Sequence, residues 1–99
     1  MQFSFEGDNS CVRISGEFTF IDHVAFKTMM GRLFEGRGSP VTIDLAKLEF
    51  IDSAGLGMLL LARDEAKKAD CNLILRGPSG QVKRMFGVTK FDTLFAVVE

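Results

Sequence analysis

The chain has 99 residues, of which 46% are hydrophobic and 25% are charged, and its formal net charge is -1. This length suits one domain with a single core, and the composition excludes an intrinsically disordered chain. The nearly neutral charge provides no broad basic surface. We therefore expect one domain over residues 1–99 and no nucleic-acid partner.

The sequence carries no targeting or membrane signal. No run approaches the roughly 18 apolar residues that cross a bilayer. The first residues, Met-Gln-Phe-Ser-Phe-Glu, lack the basic and long apolar regions of a signal peptide. We expect a cytoplasmic protein without direct membrane insertion. The spacing of Cys11 and Cys71 is not that of metal ligands. Because cytosolic thiols are usually reduced, two ordinary small side chains are favoured over a disulfide.

Two stretches of alternating polar and apolar residues open the chain and predict a hairpin. The first covers residues 2–6, the second ends at Gly16, and Gly-Asp-Asn at residues 7–9 is typical of the turn between them. Asp22 then offers an N-cap for a helix. The apolar residues of this helix follow the i, i+3, i+4, i+7 pattern and are Phe26, Met29, Met30 and Leu33. We expect it to end near Gly36, with residues 36–40 forming a turn.

A short apolar run followed by a helical run forms the centre of the chain. Val41, Ile43 and Leu45 belong to a run opened by Pro40, which is typical of a strand covered on both faces. From Ala54 onward the residues are good helix formers, and two lysines lie near the C-terminal end, where a helix favours positive charge. The residues between these runs predict a tight polar turn.

The last third of the chain predicts a strand, a helix and a short tail. Leu-Ile-Leu at residues 73–75 indicates a buried strand, which the following Gly-Pro stops. Pro78 suits the start of a helix whose apolar side consists of Val82, Met85 and Phe86 and which closes at Gly87. The tail fits a helix or an edge strand, and we favour a helical turn followed by a short strand.

The order of these elements predicts the fold class. Strands that alternate with helices after residue 41 imply parallel strands joined by right-handed crossovers, and the N-terminal hairpin adds an antiparallel part. The expected fold is therefore an α/β single domain, a small mixed β-sheet with helices packed on it.

The junction at Asp52 and Ser53 is the strongest candidate for a site. Both residue types are common N-caps, a purely structural role worth about 1 kcal/mol. Gly55 and Gly57, however, each cost a helix about 1 kcal/mol relative to alanine, which indicates a close approach of another backbone. The apolar run at residues 58–62 turns through more than one helical face, so part of it is expected to meet another element or a partner.

The junction does not match the common enzyme motifs. Ile51 stands where the G-x-S-x-G motif of serine hydrolases requires glycine, and His23, the only histidine, is expected at a helix end or on the surface. Gly55-Leu56-Gly57 resembles a dinucleotide loop, but Leu60 replaces the third glycine. We expect no catalytic residues and no cofactor, and the sequence leaves weak nucleotide binding open.

Two carboxylates are expected to flank the junction. Asp44 and Asp52 are predicted on either side of one turn, without the histidine or cysteine cluster that a metal site or acid-base pair would include. We therefore expect no metal, and a structural role in which one carboxylate accepts hydrogen bonds from backbone N–H groups of the turn.

The central motif resembles the signature of STAS domains, and most closely that of bacterial anti-sigma-factor antagonists. The resemblance rests on Asp-Leu at residues 44–45 and on Phe-Ile-Asp-Ser-Ala-Gly-Leu-Gly at residues 50–57. Gly-Glu at residues 16–17 and Val-Lys-Arg-Met-Phe at residues 82–86 are also similar to the family. Because this similarity extends over nearly the whole chain, it implies a STAS-like fold, a small mixed sheet with several helices.

The resemblance also implies a function. It makes Ser53 the serine that an anti-sigma protein kinase phosphorylates, places Asp52 in the kinase recognition site, and leaves Ala54 where relatives often carry a second hydroxyl. The implied protein is a non-enzymatic switch that binds an anti-sigma factor or serine kinase until phosphorylation ends the binding, and a PP2C-type phosphatase restores it. The predicted recognition residues are Asp52, Ser53, Ala54, Gly55, Leu56 and Gly57.

One alternative belongs to another class of function, a STAS subunit that serves a membrane-transport assembly as a structural partner and is never phosphorylated. The complete Asp-Ser-Ala-Gly-Leu-Gly sequence favours the switch, because the alternative does not need the serine. The sequence leaves self-association open.

Overall fold

The computed structural model describes residues 1–7, 10–35 and 40–99. These residues contain five strands, three α-helices and two short 3₁₀ turns. The strands are β1 (Gln2–Glu6), β2 (Cys11–Phe18), β3 (Val41–Ile51), β4 (Leu73–Arg76) and β5 (Ala96–Val98). The helices are α1 (His23–Leu33), α2 (Ser53–Lys68) and α3 (Gly80–Thr89). The first 3₁₀ turn covers Phe20–Asp22 and the second covers Phe91–Thr93.

The five strands form one mixed sheet in the order β1-β2-β3-β4-β5. β1 is antiparallel to β2, and all other neighbouring strands are parallel. The predicted α/β fold and the pairing of the N-terminal hairpin are therefore confirmed. Its predicted turn includes Asp8 and Asn9, which lie outside the described residues, as do residues 36–39 of the second predicted turn.

One face of the sheet carries the core. Strand register aligns Val12, Ile43 and Leu75 across three neighbouring strands, and all three are fully buried. α1 packs on this face, since the ring centroid of Phe26 lies 4.9 Å from that of Phe18. The expectation of an amphipathic α1 is confirmed, because its four predicted apolar residues are all buried.

β3 is longer than the sequence predicts. It extends from Val41 to Ile51, so the residues expected to form the turn after Leu45 belong to the strand. The pairing with β2 shifts register twice and then continues to the pair Phe18–Ile51. These shifts disrupt the apolar alternation in the second half of the strand, which explains why the sequence pattern resembles a turn.

The two remaining helices begin and end close to their predicted positions. α3 continues two residues beyond Gly87 and ends at Thr89, where Lys90 adopts a left-handed conformation with a φ of 60°. The tail forms a 3₁₀ turn and a short strand, as predicted. Within the described ranges, no helix combines the length and the apolar character needed to cross a membrane.

Candidate functional site

Asp52 connects three parts of the fold at the end of β3. Its Oδ1 accepts a hydrogen bond from the N–H of Gly55 at 2.7 Å, which makes it the N-cap of α2. Its Oδ2 accepts from the N–H of Phe20 at 3.2 Å, 32 residues earlier in the chain. One carboxylate therefore caps α2 and holds the first 3₁₀ turn beside the start of that helix. The predicted backbone-binding role of a carboxylate at this turn is confirmed.

Ser53 is the first residue of α2 and is exposed. Because Asp52 caps the helix, the hydroxyl of Ser53 is not needed for capping, and within residues 1–7, 10–35 and 40–99 it has no hydrogen-bond partner. The helix dipole favours negative charge at this end. The structure thus presents a serine hydroxyl to solvent at a position where a phosphate is electrostatically tolerated.

Gly55 and Gly57 have different roles. A Cβ atom built on Gly55 would lie 2.7 Å from Cγ1 of Ile51 and 2.7 Å from the backbone oxygen of Phe18. The close backbone approach predicted from the sequence is therefore confirmed for Gly55, and it occurs inside the domain. A Cβ atom on Gly57 would meet no described atom within 4 Å, and Gly57 is exposed.

The predicted recognition residues divide into exposed and buried ones. Ser53 and Gly57 are exposed, Ala54 is half-buried, and Gly55 and Leu56 are buried. Leu56 faces the core and is 5% exposed, so it does not share the open start of the helix with Ser53. The reason is helical geometry. Leu56 is three residues after Ser53 and Gly57 is four, so the two residues lie at different angles around the helix axis.

An exposed row on α2 begins at Ser53 and continues at intervals of four residues through Gly57 to Leu61; we call it the α2 row. The side chain of Leu61 is 48% exposed, and it lines a groove between α1 and α2 together with Met30 and Met58. Leu59 and Ala62, from the same apolar run, are buried in the core. The apolar run at residues 58–62 therefore faces the core on one side of α2 and the groove on the other. This explains why its apolar residues cover more than one face of the helix.

A second exposed apolar group lies on the first 3₁₀ turn and the start of α1, and the sequence reading does not identify it. Phe20, Ile21 and Val24 are 70%, 75% and 75% exposed. The turn packs against α2 and is bonded to Asp52. We call Phe20 and Ile21 the apolar turn. A run of apolar residues directly before an N-cap is the sequence signal that could have identified it.

Asp22 holds the apolar turn from its other side. Its carboxylate accepts hydrogen bonds from the N–H of Thr19 and from the amino group of Met1, each at 2.8 Å. Burial raises the pKa of Asp22, but these two hydrogen bonds and the positive charge of the amino group together lower it by more, so the pKa lies below its ordinary value. α1 does begin directly after Asp22, but the side chain does not bond to α1. Its carboxylate instead closes the 3₁₀ turn.

Gln81 of α3 also supports the site, and sequence reasoning missed it. Its side-chain amide accepts a hydrogen bond from the N–H of Ile51 and donates one to the carbonyl of Ile51, both at 2.9 Å. Ile51 directly precedes Asp52, so α3 fixes the end of β3 where the site begins. A glutamine has no distinctive sequence pattern, and only the tertiary fold shows this contact.

Asp44 lies away from the turn, which corrects the expectation that it and Asp52 flank one turn. It is in β3, and its Oδ2 accepts hydrogen bonds from Arg13 at 3.1 Å and Arg76 at 2.9 Å. Burial raises the pKa of Asp44, but hydrogen bonds from Arg76, the N–H of Ala46 and Arg13 lower it below its ordinary value. Asp44 is therefore a structural carboxylate of the sheet.

The two cysteines do not line the groove between α1 and α2, whereas His23 does. Burial raises the pKa of the Cys11 thiol although Arg76 lies 3.5 Å away and partly opposes the increase. His23 is the first residue of α1, at a helix end as expected. Among the residues that the structure describes, no group of three potential metal ligands occurs.

These features match a known domain family. The family model described as "Mlab, STAS domain" matches residues 1–99. The chain therefore belongs to the STAS-domain family, as its central motif implies. A STAS-domain containing protein of Pseudomonas aeruginosa is 31% identical over 94 residues, which cover 95% of this chain and 92% of that protein.

Two solved structures share the fold. A Thermotoga maritima protein classed as an anti-sigma factor antagonist superimposes with a TM-score of 0.81 at 20% identity, over 98% of this chain and 86% of that one. The anti-sigma factor antagonist SpoIIAA in its unphosphorylated form gives a TM-score of 0.70 at 18% identity, over 99% of this chain and 87% of that one. The expected STAS-like fold, a small mixed sheet with helices packed on it, is thus confirmed.

Proposed function

We propose that this protein is an anti-sigma factor antagonist that acts as a phosphorylation-controlled switch. In its unphosphorylated form it binds an anti-sigma factor that is also a serine kinase, which releases a sigma factor or a related regulator. Phosphorylation of Ser53 ends this binding, and a PP2C-type phosphatase reverses it. The observation that carries the proposal is the exposed hydroxyl of Ser53 at the first position of α2, which has no hydrogen-bond partner among the described residues.

The binding surface in this proposal combines the α2 row with the apolar turn. Exposed Phe20 and Ile21 provide apolar area on the turn that is bonded to Asp52. Exposed Leu61 adds apolar area about two helical turns further along α2, and Gly57 between Ser53 and Leu61 leaves the helix backbone open to a partner. Apolar groups at the centre of an interface contribute most when water is excluded from them. An unphosphorylated Ser53 is compatible with such a dry contact because a neutral hydroxyl costs little to desolvate compared with an ion.

A phosphate on Ser53 changes this surface without disturbing the cap. It adds about -1.5 to -2 charges and three acceptor oxygens at pH 7. Both oxygens of Asp52 already accept backbone hydrogen bonds, so the cap does not depend on the serine hydroxyl. The buried charge and its repulsion from Asp52 oppose association with a partner that was complementary to the neutral surface.

The chain itself is proposed to be non-enzymatic and to act in the cytoplasm. The partner kinase would bring ATP and magnesium, so no cofactor is assigned to this chain. The family membership and the shared fold with two anti-sigma factor antagonists support this assignment.

Phosphorylation by the kinase that co-purifies with the protein from cells tests the proposal. The kinase and radiolabelled ATP should label the wild type and should not label Ser53→Ala. Ser79→Ala is the matched control, because Ser79 lies at the N-cap of α3, another helix start, and this variant should be labelled like the wild type. Equal labelling of Ser53→Ala, or co-purification with transport subunits and no kinase, would contradict the switch.

A further inference from the structure

β1 is an outer strand of the sheet, and its free edge is unprotected. β1 hydrogen-bonds to β2, and within the described residues no other element pairs with it. Gln2, Ser4 and Glu6 are exposed. An outer strand presents unpaired N–H and C=O groups that can pair with another chain, and most proteins protect such edges.

β1 lacks the protective devices that outer strands commonly use. Its five residues, Gln-Phe-Ser-Phe-Glu, contain no proline and no lysine, and the only charge is at its end. Its pairing with β2 is regular over all five residues, without a bulge. The opposite edge differs, because β5 has only three residues and is protected by its short length. The two edges of the sheet are thus not equivalent.

Apolar side chains accompany the free edge on the core face of the sheet. Phe3 and Phe5 are half-buried, and their rings form an edge-to-face pair with centroids 6.1 Å apart. Met1 and Phe34 are also only partly buried beside the core. The core therefore extends to this edge and remains incompletely covered there.

We propose that β1 pairs with β1 of a second copy of this chain, in antiparallel orientation around a two-fold axis at Ser4. This register pairs all five residues of the strand. It places Phe3 opposite Phe5 of the other copy, Ser4 opposite its equivalent, and Gln2 opposite Glu6. No like charges face each other, and the two Phe–Phe pairs lie on the core face, where cross-strand aromatic pairs stabilise a sheet.

The sequence of β1 favours a second copy over an unrelated strand. The side-chain pattern is symmetric about Ser4, with an aromatic residue on each side and an uncharged polar residue at one end facing an acid at the other. A single short strand forms a small interface, so we expect a weak, concentration-dependent dimer. This proposal is independent of the phosphorylation of Ser53, and its test requires no other protein.

Sedimentation velocity from about 10 µM to about 1 mM, a range suited to a small interface, tests the pairing. The wild type should shift from the 10.9 kDa monomer toward twice that mass. Ser4→Lys places two lysines opposite each other and should raise the dissociation constant at least tenfold. Gln2→Lys, on the same strand and face, places a lysine opposite Glu6 and should leave dimerisation unchanged or strengthen it.

Cysteine cross-linking tests the register directly, in a background that carries Cys11→Ser and Cys71→Ser. Residues opposite each other in a sheet have Cβ atoms about 4.5 to 5.5 Å apart, which is near disulfide distance. Ser4→Cys should form a disulfide dimer under mild oxidation, whereas Gln2→Cys, which faces Glu6, should not. Circular dichroism of each variant verifies folding.

Three results would overturn the proposal. The first is a wild type that remains monomeric at the highest concentration. The second is equal weakening by Ser4→Lys and Gln2→Lys, which would reflect net charge and not register. The third is cross-linking of Gln2→Cys in preference to Ser4→Cys, which would assign another register.

Discussion

Replacing each of the two glycines in the first turns of α2 by alanine should have opposite effects on stability. In Gly55→Ala, the new Cβ would be 2.7 Å from Cγ1 of Ile51 and 2.7 Å from the backbone oxygen of Phe18. Real Cβ contacts are essentially never below 3.0 Å, so the backbone or Ile51 has to move. The same oxygen of Phe18 accepts a hydrogen bond from the N–H of Asp52 at 3.2 Å, so movement also weakens the turn that carries the site.

The magnitudes determine the sign. Overpacking a rigid site costs about 1 to 3 kcal/mol, and losing the hydrogen bond costs about 0.5 to 1.5 kcal/mol. The gain in helix propensity from glycine to alanine is about 1 kcal/mol and does not offset both costs. We therefore expect Gly55→Ala to destabilise the domain by about 2 kcal/mol. Gly57→Ala receives the same gain without a clash, so it should stabilise by up to about 1 kcal/mol.

Thermal and urea unfolding followed by circular dichroism would measure both variants. For a domain of this size, 1 kcal/mol corresponds to about 4 to 8 °C in Tm. Gly55→Ala should therefore melt roughly 8 to 16 °C below the wild type and Gly57→Ala up to about 8 °C above it. A Gly55→Ala variant as stable as Gly57→Ala would refute the inference that close packing requires glycine at position 55.

Three further predictions concern the switch and the sheet. Ser53→Asp and Gly57→Arg should each weaken partner binding in calorimetry at least tenfold, about 1.4 kcal/mol, without lowering the Tm, while Ser4→Glu on β1 leaves binding intact. Full binding by both variants would place the interface elsewhere. Phosphorylated and unmodified protein should differ in Tm by no more than a few degrees, because the helix dipole favours the phosphate by about 0.3 to 1 kcal/mol and the charge of Asp52 opposes it. A large drop in Tm on phosphorylation would indicate that the switch works by unfolding. Folding lowers the pKa of Asp44 from 3.8, so the ionised carboxylate stabilises the domain above pH 3.8 and this stabilisation is lost as the pH falls through the folded-state pKa. Asp44→Asn should therefore lower the free energy of unfolding at pH 7 by about 1 to 3 kcal/mol and make stability depend less on pH in the acid range. An unchanged pH dependence in the acid range would show that other groups cause it.

Local patterns in the sequence predict much of this fold because they reflect short-range geometry. The i, i+3, i+4, i+7 spacing in α1 corresponds to its buried side. The alternation in residues 2–6 corresponds to the alternating exposure of β1. The second half of β3 does not follow such a pattern, because its register shifts against β2 interrupt the alternation. Sequence periodicity therefore predicts regular elements and fails where a strand is irregular.

The amino-acid sequence is sufficient to predict the order of strands and helices, the family motif and a serine at the start of α2. Only the folded structure shows that Asp52 is the cap and that, in the part of the chain that the structure describes, the hydroxyl of Ser53 has no hydrogen-bond partner. It also brought Phe20 beside Asp52 and the amide of Gln81 onto Ile51, contacts that span 32 and 30 residues. The physical reason is that capping preferences and periodicity depend on neighbours within a few positions, whereas these contacts depend on how β2, β3 and α3 pack together.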